Sequence, residues 1–262
     1  MKAAGSRGFT LIELVVAIAI SSIVVVFAAM FISAPLGAYE THSRRAVLVA
    51  DASGAWPRME ADFRRALPNS LRARRNGTFV VIEMLPVRAT ARYVPPFPGP
   101  LIIAGISATT AQPPYLSINP GTDVYTLTGS TVPVTSWNVG APAVAGEYPV
   151  IVAPMPAAAG SPKNRVFLVD APITYLCDEG QGTLRRYANY TAATLPTAHD
   201  TPGELAGPGV SNELITQGLT SCDFQVPAVA ANQLQTASVR LTTTRNGDSV
   251  TLLHISRGQY TP

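Results

Sequence analysis

Side chains that could do chemistry are few in this chain of 262 residues, whose only histidines are His42, His199 and His254 and whose only cysteines are Cys177 and Cys222. The histidines would act as general bases or metal ligands if a nucleophile or further ligands stood beside them. No local pattern supplies these. There is no Gly-x-Ser-x-Gly elbow, no His-Glu-x-x-His pair, no phosphate loop and no Cys-x-x-Cys pair. Asp178 and Glu179 in the stretch 177–182 lack the ligand spacing of a calcium loop and read as part of a hairpin turn. The expectation is a protein with no catalytic residues, no metal and no cofactor, and not an enzyme. In an exported chain the even pair Cys177 and Cys222 reads as a disulfide closing a loop of about 45 residues. The other reading is two buried thiols.

Basic residues gather at Arg64, Arg65, Arg72, Arg74 and Arg75, and again at Arg185 and Arg186. They could capture DNA, but the aromatic interleaving of a single-strand platform is thin. A helix terminus and solvated strand faces are the simpler reading, so nucleic acid is not an expected partner. The formal net charge of +3 is spread too thinly to make the whole chain a nucleic-acid binder. Asn76-Gly77-Thr78 and Asn189-Tyr190-Thr191 match glycosylation acceptors, a pattern common by chance.

The most informative carboxylate is Glu13, in the stretch 8–20, GFTLIELVVAIAI. From Leu14 to Tyr39 no residue is charged, and Leu14–Ala34 is strongly apolar. About 21 helical residues span about 30 Å, the thickness of a bilayer's hydrocarbon. A secretory signal has a shorter apolar core. Lys2 and Arg7 precede the span, which keeps the N-terminus cytoplasmic and the body outside. A plain anchor has no use for Glu13, because a carboxylate in a membrane is costly unless paired.

The run Gly8-Phe9-Thr10-Leu11-Ile12-Glu13, after a short basic leader, resembles the class III signal of type IV pilins and type II secretion pseudopilins. That resemblance implies a cut between Gly8 and Phe9 by a prepilin peptidase and N-methylation of the new Phe9 amine. It implies that Glu13 pairs with the N-terminal amine of a neighbouring subunit during assembly. A wrong register leaves a charge unpaired, so the pair can select register even if its net stabilisation is small. The implied partners are other pilins and minor pilins through the N-terminal helix, the prepilin peptidase/methyltransferase and an inner-membrane assembly platform. The implied location is the bacterial inner membrane, crossed once, with a periplasmic C-terminal body that enters the pilus after assembly. The first proline of the apolar segment is Pro35, near its end, so a bend or break is expected there and none at mid-membrane. This leans away from a major pilin.

Two further stretches carry weaker resemblances. Met59–Arg72, MEADFRRALPNSLR, is similar to the helix end of larger minor pilins and of J-type minor pseudopilins. Val169–Tyr190 resembles the prepilin-like minor protein of mannose-sensitive haemagglutinin (MSHA) pilus systems. The implied function is a minor pilin of a type IV pilus that primes, caps or tips the filament. The alternatives are a J-type minor pseudopilin of type II secretion, and a tip adhesin or DNA-binding minor pilin.

The elements that would carry these residues change character along the chain. Glu40–Leu67 reads as an amphipathic helix with Ala46, Val49, Trp56, Met59, Phe63 and Leu67 on its apolar face, interrupted near Gly54 and Pro57. Strands are expected at 78–85, 123–129, 148–155, 165–177 and 183–190. A final hairpin pairs Ala237–Thr244 with Ser249–Ser256 about Asn246-Gly247, a dipeptide suited to a type I′ turn. The segments 94–100, 112–120 and 194–208 read as loops. The expected fold is α+β: a long N-terminal helix packed on a mainly antiparallel sheet with large loops, the pilin-like plan. The expected divisions are a leader at 1–8, a membrane and assembly helix at 9–36, an amphipathic helix at 37–67 and a β-rich periplasmic body at 68–262.

Overall fold

The computed structural model describes residues 9–96, 101–122, 124–142, 144–157, 160–161, 163–228 and 234–258. The chain falls into two compact units, Met1–Val47 and Leu48–Pro262. Helix α1 runs Leu11–Ser53, and α2 runs Trp56–Arg64. The expected break at Pro35 is absent, since the backbone is helical through it. Proline removes a single i to i−4 hydrogen bond, which long flanking helical stretches can tolerate. The interruption falls at Gly54-Ala55 instead, and Pro57 sits in the first turn of α2, where its missing N–H costs nothing.

That interruption resets the helical phase. Downstream, Met59 and Phe63 are fully buried as expected, and Leu67 is buried just beyond the helix end. Upstream, Ala46 and Val49 are exposed, and Leu48 and Ala52 are buried in their place. Counting one apolar face through a two-residue break put the upstream set on the wrong side.

Among the described residues the strands, in chain order, are β1 Arg72–Asn76, β2 Phe79–Met84, β3 Val87–Tyr93, β4 Leu101–Ala104, β5 Tyr115–Ile118, β6 Thr131–Pro133, β7 Ser136–Val139 and β8 Glu147–Ala153. They continue as β9 Arg165–Val169, β10 Ile173–Asp178, β11 Thr183–Ala188, β12 Ser211–Gln217, β13 Leu219–Gln225, β14 Thr236–Arg245 and β15 Asp248–Arg257. They form three antiparallel sheets where one was expected, in the orders β1-β2-β10-β11-β12, β13-β14-β15 and β6-β5-β9-β3-β4-β8-β7. Met59 and Phe63 of α2 share one core with Ile82, Tyr175 and Leu184 of the five-stranded sheet and Val239 and Leu241 of the three-stranded one. A second core, built on Ile103, Leu116, Ile118, Val166 and Leu168, belongs to the seven-stranded sheet.

Several expected strands are displaced. The run 165–177 is two strands in different sheets, β9 and β10, separated at Asp170-Ala171-Pro172. Proline cannot donate to a ladder, so it ends one pairing and frees the chain to start another. Residues 124–129 are turns rather than a strand; Val124 and Tyr125 plug a core cluster, and Leu127 takes a positive φ of 57°. The expected loop 112–120 contains β5, a fully buried strand paired with β6 and β9. Of the expected loop 94–100, residues 97–100 lie outside the described residues. The final hairpin forms about Asn246 and Gly247, both at positive φ (52° and 84°).

Candidate functional site

The first candidate site is the start of α1. Thr10 sits just before the helix and Glu13 in its first turn. The backbone N–H and the hydroxyl of Thr10 reach Glu13 Oε2 at 3.5 and 3.4 Å, and the N–H of Glu13 reaches Thr10 Oγ1 at 3.3 Å. This is a capping box: the threonine serves a free helix N–H and the glutamate reaches back. Glu13 also places negative charge at the positive end of the helix dipole. Its Oε1 takes no hydrogen bond among the described residues, so one carboxylate oxygen stays open to a cation. The Thr-x-x-Glu pattern was legible in the sequence, and only the assembly role of Glu13 was read from it. Phe9 is 76% exposed, while Gly8, the other side of the expected cut, lies outside the described residues.

Behind Glu13, Leu11–Phe31 is long and apolar enough to cross a membrane, with mean hydropathy 2.9 and none of it buried within the protein. A helix that is apolar all round requires lipid or other helices around it.

In the body, the arginines singled out from sequence are held by internal acceptors. Asp62, on the buried side of α2, accepts from Arg186 Nε at 2.7 Å, Tyr175 Oη at 2.8 Å and Arg65 Nη2 at 2.7 Å. Burial pushes its carboxyl upward, but these three donors outweigh burial and hold it below the ordinary aspartate range. Glu83 binds Arg72, Tyr190 Oη at 3.0 Å and His199 Nδ1 at 3.0 Å. Arg74 meets Asp200 at 2.6 Å, Arg64 meets Glu60 at 2.8 Å and Arg185 meets Asn212 at 3.0 Å. These contacts fasten strands and loops together, and they use donors that a bound phosphate backbone would otherwise take.

The histidines are similarly placed. His199 is buried against Glu83, and its ring stands edge-on to Tyr190. His254 of β15 binds Glu60 at 2.9 Å and stacks on Trp56, with ring centroids 4.8 Å apart. His42 is exposed on α1. Among the described residues, His199 and His254 have no partner in common. Among the described residues no group of three or more His, Cys, Asp or Glu could hold a metal ion.

Cys177 of β10 and Cys222 of β13 form a disulfide, with Cα atoms 6.4 Å apart, that joins the five-stranded and three-stranded sheets. Glu179, read from sequence only as a turn residue, secures it. Its carboxylate accepts from the Cys222 N–H at 2.9 Å, Ser221 Oγ at 3.2 Å and Arg75 Nη1 at 2.7 Å. Arg75 in turn donates to the Cys222 carbonyl at 2.6 Å. Nothing in the sequence marks this clasp, because its parts are far apart until the sheets meet.

Residues 4–29 match the family model described as the prokaryotic N-terminal methylation motif. The match spans the expected cut, the Thr10–Glu13 cap and most of the apolar span. No curated protein and no solved structure matches the chain. The MSHA-type resemblance of Val169–Tyr190 therefore rests on that segment alone.

Proposed function

This chain carries the class III leader of a type IV pilin-like protein, and from that premise we propose that it is a minor pilin of a type IV pilus. The observation that carries the reading is the methylation motif at residues 4–29 on a helix whose Leu11–Phe31 stretch can cross a membrane. A prepilin peptidase cuts between Gly8 and Phe9, and Phe9 is N-methylated. The chain is held by one span in the inner membrane, with its body in the periplasm, until an assembly platform draws it into the filament.

The capping box suits such a handover. Before assembly, Thr10 satisfies part of Glu13. In the filament the charged amine of a neighbouring subunit takes the open oxygen, pairing two full charges where Thr10 offers the carboxylate only neutral donors. A body built from three sheets, with no proline in the middle of the apolar span, fits a low-abundance subunit that primes, caps or tips the fibre.

N-terminal sequencing and intact mass of the protein from its native host test the processing: a chain starting at methylated Phe9 is expected, and one starting at Met1 overturns the reading. Deletion of the gene tests the role. Loss of pili with secretion intact is expected, whereas loss of secretion with pili intact makes the chain a J-type minor pseudopilin instead.

A further inference from the structure

We propose that the cleft at the C-terminal end of α2 binds a small carboxylate with an apolar body of a few carbons, held by Arg65 and Arg186. The two arginines share one internal acid. Arg65 gives Nη2 to Asp62 Oδ1 at 2.7 Å, and Arg186 gives Nε to Asp62 Oδ2 at 2.7 Å. Tyr175 Oη takes a further place on the same carboxylate at 2.8 Å. One negative charge thus serves two positive ones. Neither arginine has a second carboxylate among the described residues. Glu213, opposite Arg186 in the register of β11 and β12, pairs with Arg58 at 3.6 Å.

A guanidinium carries five N–H donors in a rigid fork. Arg186 spends Nε on Asp62 and meets Tyr175, and Arg65 spends Nη2, which leaves donors over on both. Arg186 is 9% exposed and lines the cleft, and none of its nitrogens is both sealed from solvent and unpartnered, so the spare donors open onto that space. In the same cleft Arg88 and Asp170 neutralise each other, with Nε 2.6 Å from Oδ1, and Nη1 of Arg88 rests on the Gln112 carbonyl. The surplus charge therefore belongs to Arg65 and Arg186. A second carboxylate completes the alternation of guanidinium and acid that Asp62 begins, and the forks suit its planar pair of oxygens. Asn189, at a φ of 67° just after β11, lines the cleft with a side-chain amide that makes no hydrogen bond among the described residues. The space measures about 310 Å³, at the small end for a ligand site. Pro86, Pro114, Ile173 and Ala188 give it an apolar wall. That wall rewards an acid with a hydrocarbon body and offers nothing to inorganic phosphate.

The test is thermal unfolding of the full chain in detergent micelles at fixed ionic strength. Isovalerate, N-acetylleucine, isovaleramide and inorganic phosphate are compared with chloride. The two carboxylates are expected to raise Tm by about 2–4 °C at saturating concentration, and the uncharged amide is expected to leave it unchanged. N-acetylleucine ends as a peptide chain does. A larger shift from it than from isovalerate assigns the site to the chain end of a partner, and an equal or smaller one assigns it to a free acid. Arg65→Gln removes one fork from a half-exposed position and is expected to weaken binding about tenfold or more. Asn189→Gly keeps the positive φ, which glycine accepts, and is expected to weaken binding about threefold to tenfold by loss of the amide donor. Arg257→Ala, on β15 of another sheet, is expected to keep the full response. The proposal is overturned if no carboxylate raises Tm above chloride, if the amide or inorganic phosphate matches isovalerate, or if Arg65→Gln responds like the parent. Each of these results leaves the reading of the leader untouched.

Discussion

Asp62 receives three hydrogen bonds on two oxygens, and the neighbours that donate them set the cost of its loss. Asp62→Ala strands the buried Arg186 guanidinium without its carboxylate, and breaking a buried pair from one side costs about 3–5 kcal/mol. Chemical denaturation measures this. The combined change Asp62→Leu with Arg186→Leu is expected to recover much of the loss, since neither charge is then left alone. Glu60 gives a pH signature. Burial raises its carboxyl, yet hydrogen bonds from His254 and Arg64 outweigh that and bring it to about 2, from an ordinary value of 4.5. A carboxyl with a depressed folded pKa stabilises the fold above its unfolded value and loses that contribution as pH falls through the folded one. Stability from Glu60 is therefore complete above about pH 4.5 and is lost towards pH 2. Melting curves across that window should fall less steeply for Glu60→Gln than for the parent.

Among the elements, the hairpin joining β10 to β11 is tightly constrained at Gly182. Gly182 has a φ of 64°, and a Cβ there would lie 2.7 Å from the Leu219 carbonyl oxygen. The Gly182 carbonyl accepts from the Leu219 N–H at 3.0 Å, so the turn is fastened to the first residue of β13. Gly182→Ala combines a disfavoured φ with a backbone clash and is expected to cost more than about 1 kcal/mol, read as a lower denaturation midpoint. Sequence pattern found this hairpin and the one at Asn246-Gly247 because local turn chemistry dictates both. It found β2, β8 and β11 because β-branched and aromatic residues recur between breakers. It missed β5, where Pro113-Pro114 and Pro120 bracket four buried residues that pair on both sides. It misplaced a strand at 124–129 because side chains that fill a core from a turn have the same composition as side chains that fill it from a strand. At the start of α1, sequence reading found Glu13 and its neighbours but not the cap they form. In the body, the clasp of Glu179 and Arg75 on Cys222 depends on contacts between residues more than 40 positions apart, beyond any local pattern.

For the molecule as a whole, the disulfide ties two sheets that the backbone connects only through β11, β12 and the loops around them. Opening it by Cys177→Ala with Cys222→Ala frees a loop of 45 residues in the unfolded chain, worth about 4 kcal/mol by the chain-entropy account. Calorimetry of the paired variant should show the loss. The same bond also governs what a protease can achieve. Between the two cysteines lies the turn-rich stretch 194–208, where Leu195 is 66% exposed. A nick there yields two polypeptides still tethered by sulfur, the later one supplying Val239 and Leu241 to the shared core. Clipped protein would migrate as a single band on a gel run without reductant and as two once thiol is added, so damage in this region stays hidden until the bridge is reduced.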